Sequence, residues 1–292
     1  MPDDFRVLVA TDGSPSAQAG LSAALAFPWP EPSTAKAVVA VAAKSWIGGT
    51  TPLHRSVEAA LRAHADVACG LLGARWGKVD VAQIPEEPAA AIVAEARRYR
   101  AGALVLGWRG HGTFKRLLAG SVSRKVVARA PCPVLVVRQA PSTFRRFVIG
   151  FDGSGGARRA VRFLGRLRPP RASLAVLVNV VEPIIAPGST RLPASTRARI
   201  RAGIAELNER RLDRAQRKID TAAQGLRRAG WRVRTEVPTG APLAMLLDVA
   251  AGYRADVLLV GARAAGVAER LLVGSVAAGA LNSSPIPVMI VP

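Results

Sequence analysis

An internal repeat constrains this chain more than any other feature. The run that ends in Thr-Asp-Gly-Ser at residues 11–14 returns as Phe-Asp-Gly-Ser at residues 151–154, at an offset of 140. Residues 103–137 likewise match residues 256–291, at an offset of 154. The second copy therefore holds 14 more residues than the first. We place them in the arginine-rich stretch 187–215, before or within a long helix.

The repeat divides the chain into two domains, which we place at residues 1–140 and 145–292. The length of each domain falls in the usual range of about 100 to 200 residues, which is long enough to bury a core. The join at residues 139–146 reads QAPSTFRR, which contains turn-forming residues and has no apolar periodicity.

Short apolar runs alternate with segments of helical periodicity in each copy. Strand-helix-strand connections require parallel strands, and near-continuous apolar runs such as AVVAVA suit a sheet that is covered on both faces. We therefore predict an α/β fold of two tandem doubly wound parallel-sheet domains of Rossmann-like type. The strands are predicted at residues 7–11, 37–43, 79–84, 103–107 and 133–137, and again at 147–151, 173–181, 231–237, 256–260 and 287–291. The helices are predicted at residues 14–27, 52–76, 88–100 and 121–130, and again at 154–165, 195–229, 241–253 and 275–283.

The last strand of each copy is a short apolar run, at residues 133–137 and 287–291. An apolar strand at an exposed sheet edge invites aggregation. We therefore predict that the two domains pack as a pseudo-dimer, with these two strands side by side.

Composition and charge indicate a globular protein that attracts anions. Half of the residues are hydrophobic and 21% are charged, which argues against a disordered chain. The net charge of +21, from 41 Lys and Arg against 20 Asp and Glu, attracts any polyanion without specifying one. Two cysteines without metal-binding spacing indicate a reducing cytoplasm, and no apolar run is long enough for a membrane span.

A glycine-rich loop follows the fourth predicted strand of each copy. In the first copy it reads Gly107-x2-Gly110-x9-Gly120-Ser121, and Ser121 opens a helix. Glycines permit close backbone approach to phosphate oxygens, and a helix N-terminus offers unpaired N–H donors, so the loop is a candidate anion site. Arg109 adds a positive charge for phosphate. The alternative is that Gly107 simply ends a strand and Gly120 simply precedes a helix.

Asp12 ends the first strand, at the sheet edge where open α/β sheets bind their ligands. Its carboxylate can hold a ribose hydroxyl or a base, or assist a metal ion. The alternative is that it stabilises the Asp-Gly-Ser turn and the start of the next helix. Both roles are compatible, since a carboxylate has two oxygens.

The sequence offers little for catalysis. An efficient hydrolase needs a base within hydrogen-bond reach of an activated water. His54 and His64 lie in a long predicted helix, where an exposed or packed surface is the simpler explanation, and His111 lies inside the glycine loop. We therefore expect no catalytic residue and at most a slow hydrolytic activity.

Taken together, the Asp-Gly-Ser strand ends, the Gly-x2-Gly-x9-Gly-Ser loop and the closing PCPVLVV and PIPVMIV runs resemble the universal stress protein family. The whole chain resembles its tandem two-domain members, and the first domain resembles the ATP-binding type. The resemblance implies an adenine nucleotide alpha hydrolase-like fold, ATP with Mg²⁺ as cofactor, a homodimer and a regulatory role.

The resemblance also assigns residues to the nucleotide. Ala10, Thr11, Asp12 and Val41 are assigned to the base and ribose, and Gly107, Gly110, Gly120 and Ser121 to the phosphates, with Val122 and Ser123 as adjacent candidates. The matching residues of the second domain are Asp152, Val180, Gly261, Gly274 and Ser275. Ala264 replaces Gly110 there, so we expect about one ATP per chain, bound by the first domain.

Three classes of function follow from these patterns. The first is an ATP-binding regulatory protein, which the complete loop of the first copy favours. The second is a slow ATP hydrolase. The third is an interaction protein whose basic surface binds nucleic acid, another polyanion or a protein partner independently of ATP.

Overall fold

The computed structural model describes residues 4–40, 52–84, 87–109, 120–185, 193–262 and 274–292. The first half contains β1 (Phe5–Thr11), α1 (Pro15–Ala26), β2 (Ser33–Ala40), α2 (Pro52–Trp76), β3 (Asp80–Ile84), α3 (Pro88–Arg98), β4 (Ala103–Gly107), α4 (Ser121–Arg129) and β5 (Val134–Val137). The second half contains β6 (Arg146–Gly150), α5 (Gly155–Arg166), β7 (Leu174–Val178), α6 (Ala194–Arg228), β8 (Val233–Glu236), α7 (Pro242–Gly252), β9 (Val257–Gly261), α8 (Ser275–Ser283) and β10 (Val288–Val291).

The strands form a single sheet in the order β3-β2-β1-β4-β5-β10-β9-β6-β7-β8. Within each half all pairs between neighbouring strands are parallel, which confirms the predicted pair of doubly wound domains. In each half the chain leaves its first strand toward one edge of the sheet and later returns on the other side of that strand. The gap between β1 and β4, and the gap between β6 and β9, are therefore the topological switch points.

The two halves join at β5 and β10, which pair antiparallel at the centre of the sheet, with Leu135 opposite Met289. This is the predicted side-by-side arrangement of the closing strands. All residues of both strands are buried, because helices cover both faces of the sheet. Pairing the two strands removes the apolar edge that each would otherwise expose.

Two apolar cores lie on opposite faces of the sheet. Helices α1, α2, α5 and α6 cover one face, and α3, α4, α7 and α8 cover the other. An aromatic cluster on the first face crosses between the halves: the ring of Phe27 lies 5.0 Å from that of Phe144 and 6.1 Å from that of Phe147. The halves thus share a core as well as a sheet, and edge-to-face aromatic pairs of this kind stabilise it.

The extra residues of the second copy lengthen one helix. Helix α6 has 35 residues, whereas its counterpart α2 has 25. This agrees with the predicted position before or within a long helix. None of the described helices is both long enough and apolar enough to cross a membrane.

Strand β2 begins four residues earlier than the sequence predicted. Strand β2 starts at Ser33 rather than at residue 37, because its register with β1 places Ser33 opposite Phe5. The added residues include polar side chains, which is why they fell outside the apolar run. Pairing with the full length of β1, rather than apolar character, determines where this strand starts.

Candidate functional site

Two clefts open at the carboxyl ends of the strands, one in each half. The first lies at the switch point between β1 and β4, and the second at the switch point between β6 and β9. Their cavity volumes are about 90 Å³ and about 220 Å³. Because parallel strands all end at the same edge, each cleft gathers residues that are far apart in the chain.

Most residues assigned to the nucleotide meet in the first cleft. Its lining includes Ala10, Thr11, Asp12, Gly107, Arg109, Val122 and Ser123. Gly120 and Ser121 do not line it but stand at the start of α4, next to two residues that do. Val41 and Gly110 lie outside the described residues.

Asp12 forms the predicted turn. Its Oδ1 accepts a hydrogen bond from the Ser14 backbone N–H at 3.0 Å, and Ser14 in turn caps α1 by accepting from the Ala17 N–H at 3.2 Å. Its Oδ2 makes no hydrogen bond with any residue that the structure describes. One oxygen of Asp12 therefore stabilises the turn, and the other has no hydrogen-bond partner among the described residues.

Gly107 has a packing reason to be glycine. A Cβ at this position would lie 2.6 Å from the carbonyl carbon and oxygen of Ser16, in the first turn of α1. Backbone atoms cannot move aside as a flexible side chain can, so only glycine lets α1 approach the end of β4. This contact alone accounts for the glycine, and it also fixes α1 beside the cleft.

The N-terminus of α4 is open toward the first cleft. Gly120 is its N-cap and supplies no side-chain hydrogen bond to the first turn. Among the residues that the structure describes, no side chain caps these N–H donors, which lie at the positive end of the helix dipole. Helices α1 and α5 differ, since Ser14 and Ser154 cap them.

Serine hydroxyls hold the segment Trp108-Arg109 at the mouth of the first cleft. The Ser16 Oγ accepts from the Arg109 N–H at 3.1 Å, and the Ser14 Oγ donates to the Arg109 carbonyl at 3.3 Å. From the other side, the Ser123 Oγ donates to the Gly107 carbonyl at 2.9 Å. Two serines at the start of α1 thus hold the backbone of Arg109, and one serine of α4 holds the end of β4.

Trp108 links this segment to the second half. The guanidinium groups of Arg109 and Arg138 both lie over its ring, at 4.2 and 3.6 Å from the ring centre. Its indole N–H donates to the carbonyl of Leu281 in α8 at 2.7 Å. Burial lowers the pKa of Arg138, and the nearby charge of Arg109 lowers it further. The stack brings two like charges together on one aromatic ring.

The second cleft has the same plan. All five residues assigned to it line it: Asp152, Val180, Gly261, Gly274 and Ser275. The Oδ1 of Asp152 accepts from the Ser154 N–H at 2.8 Å, as in the first half. A Cβ at Gly261 would lie 2.2 Å from the carbonyl carbon of Gly156, so the strand end again packs tightly on a helix.

The polar contacts around the second cleft differ. At the positions of Ser16, Trp108 and Ser123, the second half has Gly156, Ala262 and Ala277. The second half therefore lacks the indole and two of the three hydroxyls that hold the mouth of the first cleft, and keeps only the counterpart of Ser14, which is Ser154. Its lining also contains Phe151 where the first has Thr11, and the carboxylate of Glu182.

The apolar walls of both clefts were not predicted from the sequence. Pro88 and Ile92 of α3 line the first, and Pro242 and Leu246 of α7 line the second. Both pairs are related by the offset of 154. The repeat itself contained the signal, because each copy has a proline and an aliphatic residue four positions later on the helix after its third strand.

His64 packs against the Asp-Gly-Ser turn. A Cβ at Gly13, whose φ is +76°, would lie 2.1 Å from the His64 Cε1. Lys218 stands at the equivalent position of the second half and approaches Gly153 in the same way. The His54 side chain and the whole of His111 lie outside the described residues.

The family model for universal stress proteins matches this chain twice, over residues 5–138 and 143–292. Among curated proteins, a universal stress protein of Thermus aquaticus is 42% identical over 86 residues, 30% of this chain. The match spans 61% of that protein, so less than two thirds of its length is compared.

Solved structures are similar in fold. A universal stress protein from Archaeoglobus fulgidus has a TM-score of 0.64 and 19% identity, with 98% of this chain and 95% of that one covered. A universal stress protein solved in complex with cAMP is 24% identical over 51% of this chain and 97% of its own length, with a TM-score of 0.35. The first of these likenesses supports the two-domain fold over the whole chain.

Proposed function

Because this chain belongs to the universal stress protein family, we propose that it is an ATP-binding regulatory protein of the stress response. The first cleft holds the nucleotide, with the base and ribose near Ala10, Thr11 and Asp12. The phosphates lie toward Arg109 and the N-terminus of α4. Occupancy changes the stability of the protein or its choice of partner.

The open N-terminus of α4 carries this proposal. Uncapped N–H donors at a helix start favour an anion, and residues of the first turn of α4 line the same cleft as Arg109. The free Oδ2 of Asp12 lies at the same cleft and suits a ribose hydroxyl. One cleft thus offers donors for phosphate and an acceptor for sugar.

Mg²⁺ fits the same arrangement. The ion prefers carboxylate, phosphate and water oxygens, and the Asp12 carboxylate, which lines the cleft, can bind the ion in place of a ribose hydroxyl. Bound with the nucleotide, Mg²⁺ would neutralise phosphate charge. We assign no catalytic base, and the proposal includes no turnover beyond slow hydrolysis.

The cysteines bear on the compartment in which the protein works. Cys69 and Cys132 are both free, and burial raises the pKa of the Cys132 thiol to about 12, so it behaves as an apolar core residue. This supports a reducing cytoplasm. We also propose that the protein forms a homodimer and that it binds a separate protein or polyanion partner. The proposed domains are residues 1–140 and 145–292.

Calorimetry of the full chain with Mg-ATP tests the proposal. We expect about one site per chain, and Arg109→Gln should weaken binding about tenfold, since it removes a charge-assisted contact. Arg162→Gln is the matched control: it changes an exposed arginine of α5 that lines neither cleft. Two sites of equal affinity would contradict the preference for the first cleft.

A second measurement separates this proposal from ATP-independent polyanion binding. Acid extraction and mass spectrometry of the purified protein should release an adenine nucleotide. If no nucleotide is bound, and if polyanion binding falls steeply with salt but survives Arg109→Gln, the basic interaction protein is the better account.

A further inference from the structure

Helix α6 extends beyond the body of the second half. Its buried residues lie in its C-terminal part, at Ala215, Ile219, Ala223 and Leu226. Residues 194–214, which we call the α6 arm, include no buried residue. At about 1.5 Å per residue the arm is about 30 Å long. Its side chains are exposed or partly buried, and the Asn208 side chain bonds the arm to the backbone of Ile184.

Apolar side chains lie along one face of the arm. Ile200, Ile204 and Leu207 are spaced i, i+4 and i+7, which places them on that face. Ile200 and Ile204 are partly buried, and Leu207 is 50% exposed. These three residues form an apolar stripe that the described fold covers only in part.

A neighbouring segment enlarges this apolar surface. Ile184 and Ile185 are 39% and 82% exposed. The Asn208 side chain fixes the segment against the arm, because its Oδ1 accepts from the Ile184 N–H at 2.9 Å and its Nδ2 donates to the Ile184 carbonyl at 3.0 Å. Leu207, Ile184 and Ile185 are three of the five large hydrophobic residues exposed among those that the structure describes.

Positive charge surrounds the stripe. The first turns of the arm contain Arg197, Arg199 and Arg201, and no acidic residue occurs before Glu206. The arm as a whole has six arginines against three acidic residues, within a chain of net charge +21. A helix with an apolar stripe and flanking arginines is typical of helices that lie at a membrane surface.

Charge and apolar surface together select the partner. A second copy of this chain would bring two basic arms together, which like-charge repulsion opposes. Nucleic acid would satisfy the arginines but offers Leu207 and Ile185 no apolar surroundings. We propose that the α6 arm docks on an anionic lipid bilayer, with its arginines at the headgroups and its apolar stripe at the acyl boundary. This interaction is independent of the nucleotide.

Helix α2 of the first half provides an internal control. It exposes Val67 and Leu71, at 49% and 41%, one turn apart on one face. Its middle contains Arg62 together with Glu58 and Asp66, and Arg62 pairs with Glu58 at 3.5 Å. Two similarly exposed apolar residues thus occur on a helix without the arginine excess.

Vesicle co-sedimentation with the full chain tests the proposal. We expect binding to vesicles of phosphatidylcholine mixed with phosphatidylglycerol, and at least tenfold weaker binding to phosphatidylcholine alone. The double variant Ile185→Ser/Leu207→Ser should weaken anionic-vesicle binding about tenfold, since it removes apolar area from the acyl boundary. Val67→Ser/Leu71→Ser, the matched control, should bind like the unchanged protein. Thermal unfolding checks that both variants keep their fold.

Three results would overturn the proposal. The first is unchanged vesicle binding by Ile185→Ser/Leu207→Ser, which would reduce the interaction to charge alone. The second is tighter binding to a DNA duplex than to vesicles at equal salt, unaffected by the double variant. The third is self-association of the unchanged protein, measured by sedimentation equilibrium, that Leu207→Ser abolishes in the absence of vesicle binding.

Discussion

The two halves of this chain share a backbone and differ in the polar groups that support it. Strand order, the Asp-Gly-Ser turn and the tight packing of the fourth strand on the first helix recur in both. Three side chains at the mouth of the first cleft do not: Ser16, Trp108 and Ser123 become Gly156, Ala262 and Ala277. The fold forms without these groups in the second half. Their presence in the first therefore points to the positioning of Arg109.

A second difference lies beneath the first cleft. Glu95 is 3% exposed and forms ion pairs with Lys36 at 3.1 Å and Arg98 at 2.8 Å. The equivalent positions of the second half are occupied by Val176, Val249 and Gly252. A buried ion pair is weak evidence for added stability, because desolvation of the charges offsets their attraction. The comparison shows that the same helix and strand pack without it.

Removal of one partner of this ion pair should have the largest effect. Glu95→Ala leaves Lys36 half-buried without its carboxylate and should lower the free energy of unfolding by about 3–5 kcal/mol. Lys36→Val/Glu95→Val copies the second half and should cost much less. Urea unfolding of the full chain measures both. An equal loss in the single and double variants would mean that the charges themselves stabilise the first half.

Replacing the glycine at the end of β4 or of β9 should have the next largest effect on stability. Gly261→Ala places a Cβ 2.2 Å from backbone, and Gly107→Ala places one 2.6 Å from backbone. Each should destabilise by about 1–3 kcal/mol or more, and Gly261→Ala by the larger amount. Thermal unfolding measures the difference. Gly70→Ala, in α2 with no atom within 4 Å of the added Cβ, should be neutral or stabilising. Tolerance of both strand-end variants would remove the packing explanation.

Trp108 should contribute to the joining of the halves. Trp108→Ala copies Ala262 and removes both cation–π contacts and the bond to Leu281, at a cost of about 2 kcal/mol. Trp108→Phe keeps an aromatic ring and loses only the N–H donor, so it should cost about 1 kcal/mol. Differential scanning calorimetry measures both. If Trp108→Ala leaves the transition unchanged, the stack does not stabilise the contact between the halves.

Ser16→Gly and Ser123→Ala should each weaken ATP binding about threefold to tenfold. Each removes a hydrogen bond worth about 0.5–1.5 kcal/mol from the segment that positions Arg109. Calorimetric titration measures the change, with Ala277→Ser in the second half as the matched control that should leave it unaltered. Unaltered affinity in both first-half variants would show that the hydroxyl contacts serve the fold alone.

Acid should weaken the first half through Glu95. Burial alone would raise the pKa of Glu95, but hydrogen bonds from Arg98 and Lys36 outweigh it and hold the pKa below its ordinary value. A depressed folded-state pKa gives stability that is present above the unfolded pKa and is lost as the pH falls through the folded one. Acid titration of the unfolding midpoint should show this loss, and Lys36→Val/Glu95→Val should abolish it. An identical acid profile in that variant would assign the loss to other groups.

Much of this architecture could be predicted from the sequence. The two copies of Asp-Gly-Ser, the alternation of apolar runs with helical segments, and the closing apolar strands determine two doubly wound domains joined at their last strands. These are local or repeated patterns, and each is decided by residues near one another in the chain. The cleft at the switch point then follows from the direction of parallel strands.

The supporting contacts were decided only by the tertiary structure. Trp108 bonds to Leu281 across 173 positions, and Arg109 to Ser16 across 93. Lys36 and Glu95 resemble ordinary exposed charges until β2 and α3 bring them together. No local pattern specifies such pairs, because each residue alone is compatible with a solvated surface. Their energetic significance arises only when folding removes water from around them.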